Sequence, residues 1–438
     1  MADEDKLKEK ERQAGAAGNG GPNSVPYGMF VPSVSTRIRA TPQEPALKVP
    51  GPVAPTGGEK WGMELPLVPT TLDPRSYNRF AHAAAMTVVE NPGFICNPLQ
   101  IYGGPGSGKS HFLNFIAYSL AVPGGLDSVL FTDGIRLSLG LEAAIRAGAA
   151  EKLERTLLGL KALLVDDAHL LHLTDAGAPY VRRLLEAFTE GGRQLVLASG
   201  APPGAETSLE AAMGGIAGAG WTVDLKVPTA QDYRHILAQF TKSLGLNLSE
   251  ADLEAAFAAQ GVPLSEAVKM LGRVKKLERL APAALGGRPH SGLLGLLSGG
   301  SGAEPEEGLP APSADIPPAA PDRRQRLGIF YPEGMAGEAA SALGALRGVS
   351  GRLGLAAGWD EAFSEAYSCG DQYAAAFRMG GLAAEKRAAG VAIIGGTGSE
   401  VCRIALKVLE SLKIKAAWLP AAELGAPAVY ARALMDLV

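Results

Sequence analysis

Between about Thr70 and Leu280, apolar residues alternate between helical spacing and short unbroken runs, with brief punctuation between them. That alternation predicts α/β organisation. YNRFAHAAAMTVVEN predicts an alanine-rich helix, NPLQIYGG a strand entering a glycine loop, and SHFLNFIAYSLA the helix that follows. DSVLFTDG, ALLVDDAHLL and GRQLVLASG predict further strands, with LSLGLEAAIRAG and AAEKLERTLLGL as helices. AQDYRHILAQFTKSLG, SEADLEAAFAAQG and LSEAVKMLGRVKKLERL then carry helical spacing in succession, which predicts a small helical lid.

Outside this region the pattern changes. Residues 1–68 run from mixed charges through AGAAGNGGPNS into a proline-rich stretch without sustained periodicity, and are expected to form a disordered tail. Within it VPYGMFVPS, residues 25–33, gathers Tyr27, Met29 and Phe30 between prolines; it reads as a bland tail or as a short docking peptide. Residues 282–325 are rich in Gly, Pro, Ser and Ala and read as a linker. In residues 326–438, RLGIFYPEG, RLGLAAG, GVAIIGGTG and AAWLPAAEL predict strands between helices, hence a second, smaller α/β domain with a mostly parallel sheet. Trp359, Phe363 and Tyr367 fall at helical spacing and read as a core stripe.

Composition narrows the function. The 438 residues suffice for two or three domains, and 41 basic against 45 acidic residues provide no overall attraction for nucleic acid or an anionic membrane. There is neither a run of about 18 apolar residues nor an apolar leader, so a cytoplasmic location is expected. Cys96, Cys369 and Cys402 have no metal or disulfide spacing and are expected to be small buried residues. His169 and His172 flank an acidic pair without a third ligand, a poor metal site.

The sharpest chemistry lies in GGPGSGKS, residues 103–110, between a predicted strand and a predicted helix. Gly103, Gly104, Pro105, Gly106, Ser107 and Gly108 would turn backbone N–H groups toward phosphates, at the positive end of the following helix. Lys109 would reach the terminal phosphates and Ser110 would bind Mg²⁺, while His111 belongs to the nucleotide-site helix. ALLVDDAHLL ends an apolar strand in two acids: Asp166 would hold the Mg²⁺ shell, and Asp167 is placed to polarise an attacking water as the catalytic residue.

In their order and wording, YNRFAHAAAMTVVENPG, NPLQIYGGPGSGKSHFLNFIA, LLVDDAHLL and QLVLASGAPP resemble the AAA+ domain of the bacterial DnaA-type replication initiators and their shorter Hda-like relatives. The resemblance covers about residues 70–280 and implies an AAA+ P-loop NTPase domain with a helical lid, residues 69–281, binding ATP or ADP with Mg²⁺. It also implies that Asn78 lies near the nucleotide.

Some features depart from the family. Where the family carries an arginine-bearing segment, LEAAMGGIAGAGW, residues 209–221, has no arginine. In the lid, Ser265 takes the place of the arginine that senses the γ-phosphate, Arg273 aligns with a later arginine, and Gly200 follows Ser199 where an acid is usual. A cationic finger is worth about 10³–10⁵ in rate, so hydrolysis is expected to be slow unless an arginine comes from elsewhere, such as Arg182, Arg183 or a partner. The C-terminal domain lacks the family's helix-turn-helix pattern, so DNA recognition is not carried over. IIGGTGSEVCRIAL, residues 393–406, reads either as a phosphate or dinucleotide site or as a tight structural turn, with Glu400 opposing an anion. The expectation is a nucleotide-dependent switch or adaptor that meets a protein partner through the tail or the C-terminal domain, self-association being left open. An active ATPase and a nucleotide-independent scaffold are the alternatives.

Overall fold

The structure, a computed structural model, describes residues 61–70, 78–200, 220–285, 287–299, 324–355 and 358–438. The peptide at residues 25–33, most of the segment 209–221 and the stretch 300–323 lie outside the described residues.

The first sheet contains β1 (Leu99–Tyr102), β2 (Val129–Asp133), β3 (Ala162–Asp166), β4 (Gln194–Ser199) and β5 (Trp221–Asp224), all parallel, in the order β2-β3-β4-β1-β5. Alternate residues of each strand serve opposite faces. Leu99, Ile101, Phe131, Leu164 and Val196 pack under α1 (Arg79–Glu90) and α2 (Lys109–Gly124). Leu130, Leu163, Val165, Leu195 and Leu197 pack under α3 (Gly134–Arg146), α4 (Ala150–Leu158) and α5 (Ala178–Glu190). Covering both faces is what a parallel sheet requires. The β5 strand was not among the predicted strands; four residues with one buried side chain, Val223, carry too short a pattern.

The tail expectation fails at its C-terminal end. Met63 and Leu67 are buried, the Leu65 N–H donates to the Phe131 carbonyl at 2.7 Å, and the Asn114 amide bonds both backbone groups of Val68. Residues 61–68 are thus bound to the β2 side of the sheet by a few contacts, a pattern too sparse to show periodicity.

The lid comprises α6 (Ala230–Ser243), α7 (Glu250–Leu253) with a π turn at Glu254–Ala258, and α8 (Leu264–Leu280). The expected linker is partly structured: α9 (Pro282–Leu285) is followed by α10 (His290–Ser298), which buries Leu293, Leu294, Leu296 and Leu297. Its glycines and prolines masked an apolar LLGLL run.

The C-terminal domain has four parallel strands, β6 (Arg324–Pro332), β7 (Gly358–Tyr367), β8 (Gly390–Gly395) and β9 (Lys415–Pro420), in the order β7-β6-β8-β9. One face carries α11 (Ala336–Arg352) and α14 (Pro427–Leu437); the other carries α12 (Gln372–Glu385) and α13 (Glu400–Ser411). In the stretch RLGLAAG, where a strand was expected, Arg352 ends α11 and residues 353–355 form the turn after it, Ala356 and Ala357 lie outside the described residues, and the strand is β7, which starts at Gly358. Trp359, Phe363 and Tyr367 are buried, but on β7; a spacing of four is also twice the strand period. Cys96 and Cys402 are buried as expected, whereas Cys369 is exposed.

Lid and C-terminal domain share one hydrophobic core, in which Leu271, Val274 and Leu277 of α8 and Leu297 of α10 join Val429, Leu434 and Leu437 of α14. Arg273 seals the joint by bonding Asp436 through two nitrogens, at 2.9 and 2.7 Å, and Lys276 donates to the Met435 carbonyl at 2.5 Å.

Candidate nucleotide site

The loop between β1 and α2 has the backbone of a phosphate cradle. Gly106 and Gly108 stand at φ +78° and +92°, where side chains are disfavoured, and Gly108 caps α2. A Cβ on Gly103 would collide with the Leu225 carbonyl, so that glycine lets the loop lie against the end of β5. The Lys109 ammonium folds back onto the Gly103 and Gly104 carbonyls, at 2.6 and 3.1 Å. Burial lowers its pKa, with Asp166 opposing and Lys407 and Arg403 reinforcing the shift. The Ser107 hydroxyl oxygen is buried and has no hydrogen-bond partner among the described residues, which leaves a polar atom suited to an anionic ligand. Gly104, Pro105, Ser110 and His111 are exposed.

The lid closes on this loop. The backbone nitrogens of Leu264 and Ser265, at the start of α8, lie 3.7 and 4.0 Å from where a Cβ of Gly106 would be. Ser265 therefore faces the loop with its main chain, at the positive end of a 17-residue helix. Arg273 does not reach the site, being engaged with Asp436. Arg182 and Arg183 are paired on the exposed face of α5 with Glu186 and Glu154, respectively.

Asp166 ends β3 and Asp167 follows it at the head of a short 3-10 turn, Asp166 buried and Asp167 half-buried. Asp166 accepts a hydrogen bond from the Asp167 N–H at 2.9 Å and stands in register with Asp133 of β2. Asp133, which the sequence did not single out, caps α3 through the Arg136 N–H at 2.8 Å; burial raises its pKa. Asp167 adopts φ +42°, unusual for a residue with a side chain, and its carboxylate is ion-paired with Lys407 of α13.

The C-terminal domain thus reaches the acidic end of β3. The Tyr373 hydroxyl of α12 donates to the His169 carbonyl at 3.2 Å, and the His172 ring stacks on Tyr373 at 5.6 Å between centroids. Ile135 and Leu170 join the apolar cluster of α12 and α13. His169 accepts the Gly200 N–H on Nδ1 at 3.0 Å, which ties the ends of β3 and β4 together. Burial, with the charges of Arg403 and Lys109, pushes its imidazole down to about 4. Both histidines therefore serve packing, and no cluster of three metal-ligating side chains occurs among the described residues.

Asn78 lies where α1 begins, with its amide bonding the Lys226 carbonyl and N–H at 3.2 and 2.9 Å. It pins the chain leaving β5 and is seen here in that structural part. The GGTG turn serves packing: a Cβ on Gly395 would collide with Cys402, and Ser399 caps α13.

Residues 73–224 match the family model of the bacterial DnaA ATPase domain. Similar solved structures include AMPPCP-bound DnaA from Aquifex aeolicus, 15% identical with a TM-score of 0.40 over 52% of this chain and 79% of that one. Domain III of the Thermotoga maritima replication initiation protein DnaA is 20% identical with a TM-score of 0.39, covering 51% and 97%. A DnaC helicase loader is 17% identical with a TM-score of 0.29, covering 39% and 98%.

Proposed function

We propose that the chain binds ATP or ADP with Mg²⁺ at the 103–110 loop and acts as a nucleotide-dependent switch or adaptor with slow turnover. Supporting this is a cradle whose backbone, buried Ser107 hydroxyl and Lys109 ammonium all suit phosphate, in a segment of the DnaA ATPase type. Ser110 and Asp166 would hold the Mg²⁺, which when bound offsets charge on the terminal phosphates. Asp167 would polarise water, but its carboxylate is neutralised by Lys407, which weakens it as a base.

The observation that carries the switch is the position of the C-terminal domain. It shares a core with the lid and also contacts Asp167 and His169 on the sheet, so a lid movement relative to the sheet must shift α12 and α13 against β3. A ligand that favours one lid position would therefore change the surface offered to a partner. The C-terminal domain presents a parallel sheet instead of a DNA-reading helix pair, which supports a protein partner. No described helix is long and apolar enough to cross a membrane.

Equilibrium binding of labelled ATP and ADP to the intact chain and to Lys109→Ala tests this reading. Binding that is lost in the variant supports it; equal binding by both proteins removes the loop from the site.

A further inference from the structure

Three cations gather around the acidic end of β3 from two domains: Lys407 of α13 through its pair with Asp167, Arg403 one turn earlier on the same helix, and Lys109 from the loop, whose ammonium feels the Asp166 charge. Arg403 and Lys407 are one helical turn apart and so lie on the same face of α13. Lys407 fixes that face by its pair with Asp167, while Tyr373 fixes the neighbouring helix by its bond to His169. The Arg403 charge is felt by both the Lys109 ammonium and the His169 imidazole, where burial is the larger cause of the downward shifts.

Arg403 is also the least committed of the three. Its partner is Glu400, three residues earlier on the same helix, at 2.5 Å, and its side chain is 49% exposed. Such a local surface pair is worth about 0–1 kcal/mol. A phosphate oxygen offers a guanidinium a stronger, charge-assisted and bidentate partner.

Resting on the nucleotide-binding reading above, we infer that Arg403 reads the γ-phosphate: α13 brings a guanidinium in cis to the end of the loop, where it exchanges Glu400 for the terminal phosphate of a bound triphosphate. Lys407 keeps Asp167 and acts as the positioning residue that holds α13 in place. The C-terminal domain then senses ATP against ADP directly, a role that neither Arg273 nor residues 209–221, which lack arginine, can take in this chain.

The test is the ratio of ATP to ADP affinity, measured with Mg²⁺ on the full chain by titration calorimetry, with thermal melting as the check on folding. Arg403→Ala is expected to weaken ATP about 10-fold while changing ADP less than about 2-fold. Glu400→Gln, which frees Arg403 and removes a repelling charge, shifts the ratio the other way, toward ATP. Opposite shifts in two folded variants cannot arise from general loosening. An unchanged ratio in both variants, with ATP and ADP still bound, overturns the inference and leaves the nucleotide-binding reading standing; a wild-type chain that binds neither nucleotide overturns both.

Discussion

Lys407 and Asp167 lie 240 positions apart in the chain and form an ion pair across the contact between the C-terminal domain and the end of β3. With the side chains 36% and 18% exposed, the pair is partly screened, and its loss should cost about 1 kcal/mol. Lys407→Met is expected to raise amide hydrogen exchange in residues 400–411 and at Tyr373, with little change in α14. Uniform protection across α13 in that variant would show that the apolar contacts of Ile135 and Leu170 suffice to hold it.

Gly108 can be tested without steric ambiguity. A Cβ there would meet nothing within 4 Å, so Gly108→Ala adds only backbone strain at φ +92°, about 1–2 kcal/mol. The variant should fold and bind nucleotide more weakly. Gly103→Ala differs, because its Cβ collides with the Leu225 carbonyl, and its melting temperature should fall further than that of Gly108→Ala. Equal melting of the two variants would contradict the packing described for the loop.

His169 makes stability depend on pH. Its folded pKa, about 4, lies below the ordinary value of 6.5, so the unfolded chain takes up the proton first as pH falls. The stability from the neutral ring is complete above about pH 6.5 and is lost as pH drops toward 4, on the order of 1–2 kcal/mol by pH 5. Urea unfolding at pH 7.5 and 5 should show this loss in the wild type and less of it in His169→Gln. The same loss in both proteins would assign the effect to another group.

The sequence displayed the loop and the acid pair because their chemistry is local: six glycine-loop positions and a strand end fix Gly103, Lys109, Ser110 and Asp166 without reference to the rest of the chain. What surrounds them was hidden. Lys407 belongs to an ordinary amphipathic helix, and only the docking of α13 brings it to Asp167 at the end of β3. The helix α10 was obscured by composition, since Gly, Pro and Ser on both sides diluted its leucines. The stripe of Trp359, Phe363 and Tyr367 was ambiguous because a spacing of four satisfies both helix and strand.

Leu297 of α10 is fully buried between lid and C-terminal domain, so Leu297→Ala should destabilise by about 2–5 kcal/mol and loosen both together. A single cooperative transition at lower urea, with α8 and α14 losing protection in parallel, is the expected result. A loss confined to α10 would contradict a shared core.

The nucleotide site is expected to hold its ligand and turn it over slowly. The direct measurement loads the purified chain with labelled ATP and Mg²⁺, removes free nucleotide, and follows the identity of the bound label over hours. Retained ATP is the predicted result; an empty protein would contradict the site, and prompt conversion to ADP would contradict an Asp167 held in check by Lys407.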